Sequence, residues 1–264
     1  MPYQVHGLTV YSTSGEKPVQ PELPTLVFIH GAHNDHSVWN QQSGYFAARG
    51  FNVLAIDLPG HGLSAGPALT SIEAMAHWLL ALLDAANINK ASLIGHSMGS
   101  LIAIETARCA PERVVKLALL GNAYPMKVAD ALLTMAQNDE PGAIDLVVNW
   151  SHLSTPDAVS PLPDQARRLM QQLSAINPAQ LLHTDLSACN NYQLGEQAAS
   201  SINAAACPTL FVLAKQDRMT PMKASAQLRS AIPNAQVIEI DQSGHSMMTE
   251  QPEAVLAALS QFFS

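Results

Sequence analysis

Short, nearly unbroken apolar runs recur along the chain at Thr25–His30, Val53–Asp57, Ala91–Gly95, Val115–Gly121 and Thr209–Ala214. Runs of this length without polar alternation predict strands covered on both faces, and Gln236–Ile240 reads as a further strand. Segments of helical period lie between them. Val38–Arg49 predicts a helix closed by Gly50, and Met98–Cys109 another. Ile72, Met75, Leu79, Leu82, Leu83 and Ala86 share one face of a helix opened by a capping box of Thr70 and Glu73. Tyr3–Thr13 alternates loosely around Gly7, as a hairpin does. Strand and helix in alternation predict an α/β fold: a mostly parallel central sheet with helices on both faces.

The alternation stops at Tyr124 and resumes at about Ala206. Val128–Gln137, Ala143–Ser151, Pro163–Ala175 and Pro178–Asn190 read as helices with no strand between them. Afterwards come Thr209–Ala214, a helix near Pro221–Ala231, Gln236–Ile240 and a last helix at Glu253–Phe263. The expected organisation is a core of residues 1–123 and 207–264 with an all-helical lid at 124–206.

Composition narrows the function classes. Lys and Arg number 13 against 21 Asp and Glu, a net charge of −8, and 48% of the 264 residues are hydrophobic against 13% charged. Disorder needs the opposite balance. The acidic excess and the lack of a basic cluster argue against nucleic acid or an anionic membrane as partner. Cys109, Cys189 and Cys207 do not make a disulfide framework. The first residues lack a basic region followed by an apolar one, and no apolar run reaches the ~18 residues of a spanning helix. The expectation is a cytoplasmic protein without membrane insertion, its oligomeric state open.

The candidate chemistry lies where strands end. Gly95-His96-Ser97-Met98-Gly99 joins an apolar strand to a helix, the setting in which Gly-x-Ser-x-Gly forms a nucleophile elbow. So tight a turn strains the serine backbone and leaves no room for side chains two positions either side, where Gly95 and Gly99 stand. A serine hydroxyl needs a base, and a histidine base needs a carboxylate to fix its tautomer. With such an elbow the chain order is serine, acid, histidine. Asp217 follows the strand Thr209–Ala214, and His245 follows Gln236–Ile240, so both fit as catalytic partners of Ser97. Asp241 is a rival acid only four residues before His245; Asn122, after the preceding core strand, carries no charge. Backbone N–H groups must hold the oxyanion. Met98, at a helix start, and Ala32, after Gly31 in the loop behind Thr25–His30, are the expected donors.

Taken together, His30-Gly31, Asp57-x-Pro59-Gly60-His61-Gly62-x-Ser64, the elbow, Asp217 and Gly244-His245 resemble the α/β-hydrolase superfamily in its lidded, serine carboxylesterase-like branch. The resemblance spans nearly the whole chain except Tyr124–Ala206, where that family inserts a variable lid, and it implies an architectural role for Asp57–Gly62. It implies no cofactor. His33, Asp35 and His36 lie close together, but lack a further ligand at metal-site spacing and read as pocket-edge or surface groups, so no metal is expected. His96 supports the elbow. His30, Gly31, Met219 and Met247 are pocket candidates, with Met248 as either pocket or core.

Tyr124–Ala206 carries three basic and eight acidic residues, a net −5 that would favour neutral substrates if those acids faced the entrance; a solvated outer face is the more common reason for such an excess. The resulting expectation is a serine hydrolase that cleaves neutral, largely apolar, small-molecule carboxylic esters through an acyl-enzyme on Ser97. The alternatives are a carbon–carbon bond hydrolase of ring-cleavage products, which would need cationic groups at the site, and a receptor that binds without turnover.

Overall fold

In the computed structural model, which describes residues 2–13, 19–153, 160–177 and 180–264, the apolar runs form one eight-stranded sheet. Its strands are β1 (Pro2–Val5), β2 (Leu8–Thr13), β3 (Thr25–Ile29), β4 (Asn52–Ile56), β5 (Ala91–His96), β6 (Val114–Leu120), β7 (Thr209–Ala214) and β8 (Gln236–Ile240). They stand in the order β1-β2-β4-β3-β5-β6-β7-β8. The β1–β2 hairpin turns at His6-Gly7, both at positive φ, and pairs antiparallel with β4. All later pairings are parallel.

The lack of polar alternation has a plain cause. Val27, Ile29, Leu54, Ile56, Leu117, Leu119, Phe211 and Leu213 face one apolar layer, while Leu26, Phe28, Val53, Ala55, Ala118, Leu120, Leu210 and Val212 face the other. The first layer is completed by α2 (Ile72–Ala85) and α3 (Met98–Cys109), the second by α1 (Asn40–Ala47) and the C-terminal helix α11 (Pro252–Phe263).

Between β6 and β7 the described residues form only helices: α4 (Asp130–Asn138), α5 (Glu140–Ser151), α6 (Leu162–Ile176), α7 (Leu181–Asn191) and α8 (Gly195–Ser201). Leu132, Ile144, Val148, Met170, Leu182 and Leu186 of α4–α7 share an apolar cluster of their own. Ala198 and Ala199 of α8, with Tyr192 after α7, belong instead to the layer around α3, and Tyr192 Oη donates to the buried Glu105 at 2.7 Å. After β7 come α9 (Ala226–Ala231) and α10 (Met247–Glu250).

Local details differ from expectation. The α2 cap is Ser71, not Thr70: its hydroxyl accepts from Ala74 N, and Glu73 falls one position too early to complete a box. The helix expected over Val38–Arg49 begins as a 3-10 turn, His36–Trp39, capped by Asp35. The short α8 and α10 were not anticipated, and Pro178 and Asp157 lie outside the described residues.

The chain crosses from β4 back over β3 to β5, so the loops leaving β3 and β5 diverge at a topological switch point. That divergence opens a crevice at the carboxyl ends of the strands. Close contact beneath it sets the geometry. A Cβ on Gly99 would overlap the Ile29 carbonyl and approach the His30 carbonyl oxygen to 2.7 Å, both backbone atoms.

A Cβ on Gly44, by contrast, would meet nothing within 4 Å. Gly99→Ala is expected to lower unfolding free energy by about 2 kcal/mol or more, because strand backbone must move. Gly44→Ala, inside α1, should raise it by up to about 1 kcal/mol. Urea unfolding of both variants checks this, and equal midpoints would contradict it.

Candidate active site

Ser97 stands between β5 and α3 with φ 52° and ψ −117°, a left-handed conformation that a non-glycine residue adopts only under constraint. The constraint is visible. Ser97 N donates to Leu120 O of the neighbouring strand at 2.9 Å, and Ser100 N and Oγ both bond back to Ser97 O, at 2.9 and 2.6 Å. The Ser97 hydroxyl caps nothing on α3 and lines the main cavity above the sheet. Met98 N opens the first turn of α3, where the helix dipole is positive.

Asp217 and His245 arrive from the ends of β7 and β8. His245 Nδ1 lies 2.8 Å from Asp217 Oδ2. The carboxylate's other oxygen accepts from Met219 N at 2.9 Å and Thr220 N at 2.8 Å. Burial alone would raise the Asp217 carboxyl. The attraction and hydrogen bond of His245, with those of Thr220, outweigh it and hold the group below the usual value. The rival acid, Asp241, is exposed and paired with Lys215 at 2.8 Å. Thr220, which sequence reasoning missed, sits at the junction: its Oγ1 is 2.7 Å from Asp217 Oδ2, 3.0 Å from His245 Nδ1 and 2.9 Å from Gly121 O. Its spacing of three after an aspartate is a turn-capping signature that was available to find it.

His96 lies across the back of this arrangement. Its Nε2 is 2.9 Å from His245 O, and the two rings sit 4.6 Å apart. Since a carbonyl only accepts, His96 carries its proton on Nε2. Burial, then the nearness of His245, pushes its pKa down to about 3, so it adds no charge. Its role is to hold the His245 loop.

The loop after β3 is fixed just as closely. His30, expected near substrate, is fully buried and outside the cavity lining: Nδ1 meets Gly31 O at 2.8 Å, and Nε2 accepts from Leu58 N at 3.2 Å. Burial lowers its pKa to about 4, so it serves the loop as a neutral spacer. Gly31 and Ala32 do line the cavity, and a Cβ on Gly31 would press on His96 Nδ1 at 2.9 Å. Met219 lines it too. Met247 does not: it is fully buried in the layer of α1 and α11. Met248 is buried there as well but also borders a second cavity, which shares Asn34, His96 and Ser246 with the first.

Of the close-set His33, Asp35 and His36, Asp35 caps Ser37; Asp57, outside that set, accepts from His36 N and Leu63 N, so both carboxylates are engaged in shaping these loops. Asp35, His36 and Asp57 converge, and His36 Nδ1 meets Asp57 Oδ1 at 2.7 Å, a bond that ties the loop after β3 to the loop after β4.

Beyond His33 the loop is held from the helical stretch. Asp185 of α7, fully buried, accepts His33 N at 2.8 Å and pairs with His61 Nε2 at 2.8 Å. His61 Nδ1 faces Pro59 O at 3.1 Å, so both ring nitrogens donate and the ring is an imidazolium. Burial opposes that charge, but the attraction of Asp185 prevails: His61 is raised above its usual value and Asp185 held below. Nothing in the sequence flagged this acid.

The cavity walls are apolar, with Met126, Val128, Leu132, Val147, Leu182 and Leu186. Cys189 also lines it, with its thiol pushed up by burial. The acids of the helical stretch do not face this cavity: no carboxylate lines it among the described residues, whereas Lys127 and Arg218 do. Asp145 and Asp164 pair with Arg167, and Asp185 is spent on His61.

A family described as the alpha/beta hydrolase fold matches residues 24–252. The chain is 24% identical over 247 residues to the (E)-2-((N-methylformamido)methylene)succinate hydrolase of Acinetobacter baylyi, covering 91% of this chain and 90% of that protein. It is 27% identical over 243 residues to the 2-hydroxy-6-oxononadienedioate/2-hydroxy-6-oxononatrienedioate hydrolase of Cupriavidus pinatubonensis, covering 87% and 83%. A solved thermophilic esterase superposes with a TM-score of 0.82 at 25% identity, over 100% of this chain and 96% of its own. No described helix is long and apolar enough to cross a membrane.

The Asp185–His61 pair makes stability depend on pH. A raised His61 stabilises the fold below its unfolded value of 6.5 and ceases to do so as pH rises through its folded value; a lowered Asp185 stabilises above 3.8. Asp185→Asn should therefore cost most at about pH 5, where removing one buried partner costs about 3 kcal/mol, and less as pH rises. Melting temperatures of both proteins from pH 5 to 9 test this; a pH-independent gap would contradict it.

Proposed function

The chain belongs to the alpha/beta hydrolase family, and we propose that within it the protein is a serine carboxylic ester hydrolase whose nucleophile is Ser97. The observation that carries this reading is the convergence on one cavity of a strained, uncapped serine and a histidine tied at 2.8 Å to a buried, low-pKa aspartate.

In this reading His245 takes the Ser97 proton as Oγ attacks the ester carbonyl. Asp217 holds Nδ1–H and stabilises the imidazolium, leaving Nε2 free for the serine. The N–H groups of Ala32 and Met98 receive the developing oxyanion. The tetrahedral intermediate collapses, the C–O bond to the alcohol breaks, and His245 returns the proton to the leaving oxygen. Water then repeats the sequence on the acyl-enzyme, releasing the acid and restoring Ser97. His96, by holding the His245 carbonyl, keeps the base from swinging away. Helices α4–α7 serve as a lid whose apolar wall receives substrate carbon. The adjoining second cavity supports a substrate with two arms, acyl and alcohol.

A p-nitrophenyl ester series from acetate to laurate tests the proposal, with wild type and Ser97→Ala assayed together. Turnover that depends on Ser97 is expected, with a chain-length optimum; equal inertness of the two proteins would overturn it. Asp217→Asn should lower kcat by about 10⁴-fold while the fold persists, because the amide stabilises the wrong tautomer of His245. A loss of less than about tenfold would remove Asp217 from its role.

A further inference from the structure

We infer that the substrate carries a carboxylate remote from the scissile carbonyl, and that Lys127 and Arg218 receive it at the cavity mouth. The inference rests on the ester-hydrolase reading and specifies its substrate class.

Three observations lead there. First, the lining is biased against the chain's own charge. A protein of net −8 has, at Ser97, a cavity bordered by two cations and, among the described residues, no carboxylate.

Second, these cations are unspent. Arg108, Arg113, Arg167 and Lys215 each pair with a carboxylate, Arg49 stacks on Tyr45, and Lys116 donates to Phe262 O. Lys127 and Arg218, like Lys90, Arg168, Lys223 and Arg229, have no ion-pair partner among the described residues, and of these six it is Lys127 and Arg218 that line the cavity. Both are exposed yet line the cavity, which puts them at its opening.

Third, they come from one wall. Lys127 lies in the loop after β6 and Arg218 in the loop after β7. Those loops are bound together by Tyr124 N to Ala224 O at 3.0 Å and Thr220 Oγ1 to Gly121 O at 2.9 Å. Arg218 also stands between Asp217 and Met219, so its backbone is held by the turn that positions the acid.

An acidic chain repels anions at a distance, and a carboxylate substrate gains from entering only where that field is locally reversed. Two cations on one wall, above an apolar chamber, suit an ester with a short apolar span between its scissile carbonyl and a carboxylate. A hemiester of a dicarboxylic acid fits, as does a carboxylate-bearing lactone. The pairing is water-exposed, so it shows as a preference of about tenfold in kcat/KM that fades with salt.

The test compares matched pairs in which only the charge differs: mono-p-nitrophenyl adipate against its methyl ester, and the butyrate ester of 4-hydroxybutyrate against its methyl ester. They place the acid on the acyl and the alcohol side. The expected result is a preference of about tenfold for the anion in one pair, cut to near unity in Lys127→Gln and Arg218→Gln and at 0.5 M salt. Lys90→Gln, which removes the same charge from an exposed site before β5, controls for net charge and should keep the preference. Turnover of neutral esters through Ser97 with no anion preference in either pair overturns the inference and leaves the ester reading standing.

If no ester is hydrolysed, adipate binding to Ser97→Ala decides. Binding that is lost on adding Lys127→Gln supports the anion site while the ester reading fails. Absent binding, or binding equal in both proteins, overturns it.

Discussion

A serine hydroxyl can be presented above a parallel sheet only if the strand that leads to it is turned sharply into a helix, and that turn must be pressed against its neighbour. Here α3 starts so close to the end of β3 that no Cβ fits at Gly99. The contact fixes two things at once. It forces Ser97 to φ 52°, and it brings the β3 loop, with Gly31 against His96, to the same point in space. The rest follows from sheet order: β6, β7 and β8 stack outward from β5, so the loops that carry Lys127, Asp217 and His245 line one side of the crevice.

Charge management in this crevice relies on histidines used in two opposite ways. His30 and His96 are stripped of charge by burial and act as neutral hydrogen-bonding spacers, one for each loop that flanks the serine. His33, with a pKa pushed down to about 4 by burial, is likewise neutral. His61 is driven to the charged form by Asp185, the one buried acid among the described residues of the helical stretch. Neutral spacers add no charge of their own beside Ser97, the helix dipole of α3 and the His245–Asp217 pair.

Much of this was legible in residue order. The sheet could be read because strands buried on both faces must be apolar throughout, and the elbow because steric exclusion leaves only glycine at its flanks. Asp217 was preferred because Asp241, though it also follows a strand, lies only four residues before His245; Asp241 is exposed and paired with Lys215, while Asp217 meets His245 Nδ1. Side-chain partners across the fold were not legible. His30 and Met247 looked like pocket residues because they are near in sequence to cavity-lining ones, yet the His30 ring is bonded to Gly31 O and Leu58 N beneath the loop, and Met247 opens α10 with its side chain in the layer of α1 and α11. Which way the acids of the helical stretch face was not legible, because charge counting does not say which of them are consumed by Arg167 and His61. Cations contributed by separate loops, such as Lys127 and Arg218, share a wall only once the fold joins them.

The bond from Asp185 to the backbone of His33 bears on how this protein diversifies. Helices inserted between two strands look like an exchangeable cassette, free to vary while the sheet keeps the chemistry. Here one residue of the cassette is structurally part of the sheet's own loop. Exchange of the whole segment would remove Asp185, the acid that satisfies His33 N and the His61 ring, so a replacement must bring a carboxylate to the same spot. Variation is therefore channelled to the apolar wall of α4–α7 and the rim loops, where side chains change without disturbing that joint.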